Sequence, residues 1–259
     1  ALVPCVIASI IASKFAAGFG IHPESFHVVN IPELTIETGL KMVLVAVACA
    51  AISIIFCIAL QGVSKLYAKF LKNPYIRVVV AGCLVIVITV LLQTKDYIRI
   101  VAASAIIIVI TLFLRTSDYM GAGNNLIELA VENGQARPLD FFWKLVLTAL
   151  TMRAGFRGGE IVPSFCIGAT FGCIMGHLIG LSPSICAAAG MAALFCGVTN
   201  CPITSILIAF ELFGFRGASY YLIAVSISYA VSGYYGLYKD QTIVYSKYKA
   251  KYINRHTRF

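Results

Sequence analysis

The sequence predicts an all-α membrane protein, a single transmembrane unit of tilted and broken helices. Apolar residues make up 60% of the 259 residues and charged residues only 12%, whereas a soluble domain carries about a quarter charged residues. Several apolar runs are interrupted by glycine or proline after fewer than about 15 residues, too few to cross about 30 Å of hydrocarbon. The basic residues stand at the edges of apolar runs, so the net charge of +9 indicates membrane orientation and not a nucleic-acid partner.

The first apolar runs predict two spanning helices with an outer loop between them. Leu2–Phe19 is apolar apart from Lys14, and Met42–Gln61 has the length of a full span. The loop Gly20–Glu37 carries acids and histidines but no Lys or Arg, which suits the outer face of a membrane. A basic cluster that follows the second run is expected in the cytoplasm; it comprises Lys65, Lys69, Lys72 and Arg77.

Two neighbouring segments resemble each other at an offset of 22 residues. Ile86–Tyr97 reads IVITVLLQTKDY and Ile108–Tyr119 reads IVITLFLRTSDY. This indicates a local tandem duplication and leaves two topologies open. Either the second copy does not cross the membrane, or both copies are short and half-inserted. One extra crossing would invert the orientation of everything that follows.

Short apolar pieces dominate the second half of the chain. In Leu139–Met152, Trp143 and Lys144 near the start are expected at the membrane interface. The later pieces are separated by proline or glycine breaks; they are Ser184–Val198, Ile203–Phe213 and Ala218–Leu237. Broken helices persist in a membrane only where protein buries them or where they line a cavity, and in transporters their N-termini converge on the substrate. The pattern therefore predicts an ion pathway.

The rest of the chain is organised around the motif Gly158–Pro163, which reads GGEIVP, and the helix that follows it. Pro163 suits the first turn of a helix, and the two glycines let the backbone approach a ligand closely. The N–H groups of Glu160 and Ile161 are expected to point, unpaired, out of a helix N-terminus, which attracts anions. A tightly packed helix entered by an ordinary turn is the alternative.

Glycine recurs every four residues along that helix, at Gly168, Gly172, Gly176 and Gly180. Such a stripe lets another helix pack backbone to backbone. His177 in the same helix is interpreted as packing within the bundle. The nine cysteines match no metal motif and are interpreted as small apolar residues. We therefore predict no metal site, no cofactor and no catalytic residue, and we do not expect an enzyme.

Four segments carry a family resemblance. Gly159–Pro163, with the following SFCIGATFG, resembles the GxFxP motif and helix of the CLC chloride channels and proton-coupled anion antiporters. Met120–Ala130 resembles the family's glycine-rich segment, and Asn200–Gly214 its Pro-Leu-Thr helix ending in a Glu. Ile243–Lys247 resembles the segment that supplies an anion-binding tyrosine. Residues 1–70 fit the family only by hydropathy.

The resemblance implies a layout for the single transmembrane unit 1–259. Residues 1–70 would be the last helices of the first half of an inverted repeat, and 71–238 the second half. Residues 239–259 would hold the tyrosine segment and a basic cytoplasmic tail. The protein is expected to be a multi-pass homodimer in the bacterial inner membrane. The gating-glutamate loop would lie before residue 1, so a missing N-terminal portion of the same polypeptide is expected, and the chain is not expected to transport alone.

The resemblance also implies an anion site. Backbone N–H groups at Glu160 and Ile161, just after Gly159, would coordinate chloride or fluoride, and the hydroxyl of Tyr245 would donate a further hydrogen bond. The bound halide would be the only ligand. The alternative for Tyr245 is an interfacial tyrosine.

Glu160 departs from the usual motif, which has an apolar residue there. A Gly-Gly-Glu version resembles the bacterial fluoride/proton antiporter branch, and an acid within a membrane is a functional candidate. Glu160 is therefore a candidate for coupling protons to the anion. The alternative is a salt bridge with Arg153 or Arg157. Glu211, the other acid in an apolar run, is interpreted as structural.

On these grounds we predict exchange of chloride or fluoride for protons. A passive anion channel and a broken-helix transporter for another solute are the alternatives. A third alternative is that the chain serves as a scaffold and dimerisation half. The family forms dimers through helices that four segments of this chain resemble, namely Leu2–Phe19, Met42–Gln61, Ile203–Phe213 and Ala218–Leu237.

Overall fold

The computed structural model describes residues 2–20, 25–70, 119, 121–154, 158–238 and 240–257. Within these ranges the chain forms eight helices and one antiparallel hairpin. The helices are α1 Leu2–Gly18, α2 Ile36–Phe70, α3 Asn124–Val131, α4 Asp140–Ala154, α5 Ile161–Ile179, α6 Pro183–Thr199, α7 Pro202–Phe213 and α8 Ala218–Val231. The strands are β1 Thr242–Tyr245 and β2 Tyr252–His256.

The core is built around α6, whose residues from Ser184 to Thr199 are all buried. Most of its side chains are small, so neighbouring helices approach its backbone closely. Pro183 starts the helix, and Asn200 ends it in the left-handed conformation with φ 56°. Its neighbours are α5, α8 and α2, so the motif helix lies directly against the most buried element.

Three glycines form the contact between α5 and α6. A Cβ on Gly168 would lie 2.7 Å from the carbonyl oxygen of Gly190, and one on Gly176 would lie 2.8 Å from Cα of Pro183. A Cβ on Gly172 would collide with the carbonyl of Cys186. As the residue number increases along α5, the residue number of its contact on α6 decreases, so the two helices are antiparallel.

Gly180 differs from the other glycines of the stripe. It is the C-cap of α5, with φ 64° and ψ 39°, and a Cβ there would meet nothing within 4 Å. Its backbone N–H donates to the carbonyl of Gly176. The residue ends the helix through a left-handed turn that glycine adopts easily, and its position in the stripe does not reflect helix packing.

The helices α2, α6 and α8 run in the same direction. The hydroxyl of Ser228 donates to the carbonyl of Ala193 at 2.6 Å, and Gly217 at the start of α8 lies against Ile185 at the start of α6. On α2, Cys49 lies against Gly190 and Ser53 against Gly197. The three helices therefore begin at one end of the bundle and finish at the other.

The loop before α2 marks the end where these helices begin. Its backbone N–H at Phe26 donates to the carbonyl of Leu212 at 2.8 Å, near the end of α7. The hydroxyl of Tyr220 donates to the carbonyl of Glu33 at 3.1 Å. The loop predicted on the outer face and the last turns of α2, with Lys65, thus lie at opposite ends of the bundle.

The predicted helices are confirmed, with changes at their ends. Two helices, Ile36–Leu66 and Ile161–Ile179, are long and apolar enough to span a membrane by length and composition. The predicted span Met42–Gln61 is the middle of the longer helix α2. The helix α8 stops at Val231, before the predicted Leu237, because Ser232 and Gly233 turn the chain, and Gly233 has φ 61°. The 22-residue repeat lies outside the described residues apart from Tyr119.

Candidate functional site

The motif forms a helix N-terminus with an open approach. Glu160 is the N-cap of α5, and its own side chain makes no capping hydrogen bond. Gly158 and Gly159 are exposed, and a Cβ on Gly159 would meet nothing within 4 Å. The first N–H groups of a helix have no partner inside it. The backbone N–H groups of Glu160 and Ile161 therefore stand at this end of α5, and their part in an anion site stays a prediction.

The carboxylate of Glu160 pairs with Arg153 in the last turn of α4. The distance between Oε1 and Nη2 is 3.3 Å, and both side chains are largely buried, 17% and 18% exposed. The alternative role considered for Glu160 was a salt bridge with Arg153 or Arg157, and the structure shows the bridge to Arg153. Arg157 lies outside the described residues. It also keeps a carboxylate beside the helix N-terminus, balanced by one positive charge.

A cavity of about 340 Å³ lies between the motif and α4. The motif contributes Gly158, Gly159, Val162 and Pro163, and α4 contributes Lys144, Leu147, Thr148, Thr151 and Met152. The hydroxyls of Thr148 and Thr151 donate to carbonyl groups of their own helix at 2.7 and 2.8 Å. The cavity thus has an apolar lining with a polar stripe along α4 that leads to the motif.

Lys144 is buried, only 2% exposed, so its predicted interfacial position is wrong. Its ammonium donates to the carbonyl of Gly121 at 2.7 Å and to that of Tyr119 at 3.2 Å. The hydroxyl of Tyr119 donates to Asp140, one turn before Lys144 on α4. This network attaches the glycine-rich segment to α4, and the carbonyl groups satisfy a charge that burial would otherwise penalise.

Tyr245, the predicted anion ligand, ends β1 and is 68% exposed. Its ring packs edge-on against Tyr252 with centroids 6.0 Å apart. Among the described residues no hydrogen bond joins Tyr245 to Glu160 or Ile161. Its part in an anion site stays a prediction.

Tyr238 is a half-exposed tyrosine, 45% exposed, whose phenol is influenced by the charge of Glu160. Burial raises the pKa of its phenol, and the Glu160 carboxylate adds to the rise. The preceding N–H, of Leu237, donates to the carbonyl of Val198 at 2.9 Å, and the hydroxyl of Thr257 donates to the carbonyl of Tyr238 at 2.7 Å. Sequence reasoning missed Tyr238. Its one signal was that Tyr238 directly follows the last predicted apolar run, Ala218–Leu237.

Two other predicted residues lie away from this site. His177 is exposed, with Nε2 2.8 Å from the carbonyl of Gly134, so its predicted packing inside the bundle is wrong. Glu211 is exposed on α7. No group of three His, Cys, Asp or Glu side chains in the described ranges has the spacing of a metal site. Those cysteines whose side chains are described are free thiols, and all except Cys201 are buried.

Comparison with known proteins gives matches along nearly the whole chain. A family model described as voltage gated chloride channel matches residues 1–233. The chloride/fluoride channel protein of Pseudomonas syringae pv. tomato is 28% identical over 248 residues, 96% of this chain and 51% of that protein. The H(+)/Cl(-) exchange transporter ClcA of Vibrio parahaemolyticus is 33% identical over 90 residues, 32% of this chain and 18% of that protein. The chain thus spans about half the length of the Pseudomonas relative.

Solved structures give the same result for the fold. A CLC-type fluoride/proton antiporter matches with a TM-score of 0.78 and 28% identity, covering 92% of this chain and 54% of its own. A eukaryotic CLC transporter matches with a TM-score of 0.54 and 20% identity, covering 79% of this chain and 34% of its own. The expected fold, an all-helical bundle of broken helices, is confirmed.

Proposed function

This chain belongs to the voltage-gated chloride channel family, and from that premise we propose that it forms the C-terminal part of a proton-coupled chloride or fluoride transporter. The observation that carries the proposal is the N-terminus of α5, which presents backbone donors beside an ion-paired carboxylate. An open cavity reaches the same point.

Backbone donors suit an anion that must also leave. A helix N-terminus carries about half a positive charge, and Arg153 beside it is already paired with Glu160. The anion therefore meets dipoles and not a net fixed cation. Binding by such donors is strong enough for entry and weak enough for release. We propose that the N–H groups of Glu160 and Ile161, next to Gly159, hold the halide.

A tyrosine hydroxyl would complete the donor set. The resemblance implied Tyr245, and the influence of the Glu160 charge on the phenol of Tyr238 makes Tyr238 a second candidate. Tyr238 lies in the segment after α8, and the N–H of the preceding Leu237 donates to the carbonyl of Val198 near the end of α6. We therefore propose Tyr238 as the hydroxyl donor and retain Tyr245 as the alternative.

Glu160 would couple the anion to protons. An ionised carboxylate 4 Å from a halide would repel it by about 4 kcal/mol at an effective dielectric of 20. Arrival of the halide thus favours protonation of Glu160, and departure favours release of the proton. The protonated carboxyl can also donate a hydrogen bond to fluoride, the strongest acceptor among the halides. The match to a fluoride/proton antiporter supports this proposal.

A passive anion channel is the second candidate, since the Pseudomonas relative is named a channel protein. Liposomes that hold the complete polypeptide would separate the two candidates. An imposed fluoride or chloride gradient should drive protons across the membrane if the protein is an antiporter. Anion flux without proton movement would indicate a channel, and absence of flux for both halides would contradict an anion pathway.

We further propose the arrangement that the family resemblance implied. The complete protein would be a homodimer in the bacterial inner membrane, with an N-terminal portion that supplies the rest of the pore. The end of the bundle that holds Lys65 and Lys247 would face the cytoplasm, because basic residues concentrate on that side.

A further inference from the structure

Arg153 and Glu160 stand at the facing ends of two consecutive helices. Arg153 is in the last turn of α4, which ends at Ala154, and Glu160 is the N-cap of α5. A helix C-terminus favours a nearby cation, and a helix N-terminus favours an anion. Each side chain therefore carries the charge that its own helix end stabilises.

The two side chains meet across the loop that joins these helices. Nη2 of Arg153 lies 3.3 Å from Oε1 of Glu160, and the side chains are only 18% and 17% exposed. A charge buried to this extent requires a partner of opposite sign. The cavity reaches the same loop, since its lining includes Met152, next to Arg153, and Gly159, next to Glu160. An anion that enters the cavity thus arrives beside the pair.

The pair is electrically neutral while Glu160 is ionised, because a guanidinium stays charged at every physiological pH. A halide that binds beside the pair adds one negative charge to a site that water screens poorly. Protonation of Glu160 removes one negative charge, and the halide then replaces the carboxylate as the counter-charge of Arg153. The site is thus neutral both with the halide and without it.

We propose that Arg153 is the fixed counter-charge that the Glu160 carboxylate and the bound halide use in turn, and that it thereby links one proton to each halide. This inference rests on the proposed function, in which the halide lies at the start of α5 and Glu160 takes up a proton from solution. Arg153 acts through Glu160, whose carboxylate it holds while the halide is absent. It is therefore a positioning residue of the site.

Two other titratable groups respond to the charge of Glu160. They are the thiol of Cys57 on α2 and the phenol of Tyr238 in the segment after α8. A thiol and a phenol ordinarily ionise above pH 8, so both are neutral near pH 7. At that pH the charges of Arg153 and Glu160 decide whether a halide takes up a proton.

Removal of the guanidinium would change Glu160 in the absence of halide. A buried carboxyl without a counter-charge stays protonated to a higher pH. It then has no proton to gain when a halide binds near pH 7, and the halide has lost the opposite charge that would compensate its own. Arg153→Gln should therefore bind halide more weakly and take up few protons with it.

The test is titration calorimetry of the complete polypeptide with fluoride, repeated at each pH in two buffers that differ in ionisation enthalpy. The difference between the two heats gives the number of protons taken up per bound fluoride. For wild type we expect about one proton per fluoride near pH 7. Arg153→Gln should take up close to none at that pH and bind fluoride roughly tenfold more weakly. Arg153→Lys keeps the charge and should take up a proton as wild type does.

Arg216→Gln, the same substitution at an exposed arginine before α8, is the matched control and should behave as wild type. Proton uptake in Arg153→Gln equal to that of wild type would overturn the inference. Loss of proton uptake in Arg153→Lys would also overturn it, and this variant keeps the test decisive if the glutamine variant does not fold. Fluoride binding without proton uptake in wild type, or no fluoride binding, would instead reject the proposed function.

Discussion

At the residue scale, the proposed chemistry depends on one carboxyl group and one hydroxyl group from different parts of the chain. Glu160 is held beside α5 by Arg153, and Tyr238 is held beside α6 by backbone hydrogen bonds. Neither adds a net positive charge to the site. The site thus combines one titratable carboxyl with neutral donors, as a pathway that exchanges an anion for a proton requires.

The assignment of the hydroxyl donor leads to the first prediction. We expect Tyr238→Phe to weaken halide binding by about tenfold or more, because a hydrogen bond to a charged partner contributes roughly 1.5–3 kcal/mol. Tyr245→Phe should change affinity less than about twofold, because this side chain is more exposed than that of Tyr238, 68% against 45%. Titration calorimetry of both variants with fluoride and chloride is the measurement. The reverse order of effects would restore Tyr245 as the ligand.

The backbone donors proposed for this site could be predicted from local sequence, whereas the choice between Tyr245 and Tyr238 could not. Glycines and a proline around Glu160 constrain the local chain strongly, so the helix N-terminus could be predicted from six residues. Thirteen tyrosines compete for the other role. Which one approaches Glu160 depends on how Asn200, with φ 56°, and Lys247, whose ammonium donates to Asn200, fold the segment after α8 back onto α6. Those contacts join residues far apart in sequence, and no local pattern encodes them.

At the element scale, the antiparallel pair α5 and α6 positions the motif. Gly168, Gly172 and Gly176 bring the two backbones together, so the start of α5 is fixed relative to the end of α6. The segment that carries Tyr238 is attached to that same end of α6. The packing of one helix pair therefore determines the distance between the backbone donors and the tyrosine.

Close packing leads to a prediction about glycine. Gly172→Ala should destabilise the protein by roughly 1–3 kcal/mol, because its Cβ would collide with the backbone of Cys186. Gly62→Ala, in α2, is the matched control, since a Cβ there meets nothing within 4 Å and alanine favours a helix by about 1 kcal/mol. Thermal unfolding in detergent measures both. Equal shifts in Tm for the two variants would contradict this account of the interface.

Element boundaries were predicted well where proline or glycine breaks the chain. The structure places α7 at Pro202–Phe213, close to the predicted Ile203–Phe213. The hairpin was not predicted, since β1 and β2 are only 4 and 5 residues long and lie in a charged tail. Such short strands are stable only in contact with the rest of the molecule. Here that contact comes from the ends of α6 and α8.

At the scale of the whole molecule, the bundle has two distinct ends. One holds the loop of Phe26 and Glu33 with the starts of α2, α6 and α8. The other holds the ends of those helices, the Tyr238 segment and the hairpin. The proposed anion site lies toward the second end, where α6 finishes and α5 begins.

Sidedness leads to a prediction for cells. In the complete polypeptide, a cysteine at His27 should react with an impermeant maleimide from outside, and a cysteine at Lys249 should react only after lysis. The described native cysteines are almost all buried and should give little background. Labelling of position 249 in intact cells would contradict the orientation. It would also indicate that the repeat at Ile86–Tyr119, outside the described residues, adds a crossing.

The central claim is that Glu160 couples protons to an anion held at the start of α5. Its most direct test is fluoride efflux and proton uptake in liposomes by the complete polypeptide, with Glu160→Gln beside wild type. Glutamine keeps the size of the side chain but cannot bind and release a proton, so we expect Tm to change little and coupled proton uptake to be lost.

Glu211→Gln, which removes an exposed acid on α7, is the control and should transport as wild type does. The account predicts fluoride-driven proton uptake in wild type and in Glu211→Gln, and none in Glu160→Gln. Wild-type coupling in Glu160→Gln would contradict it and leave Glu160 as the structural partner of Arg153.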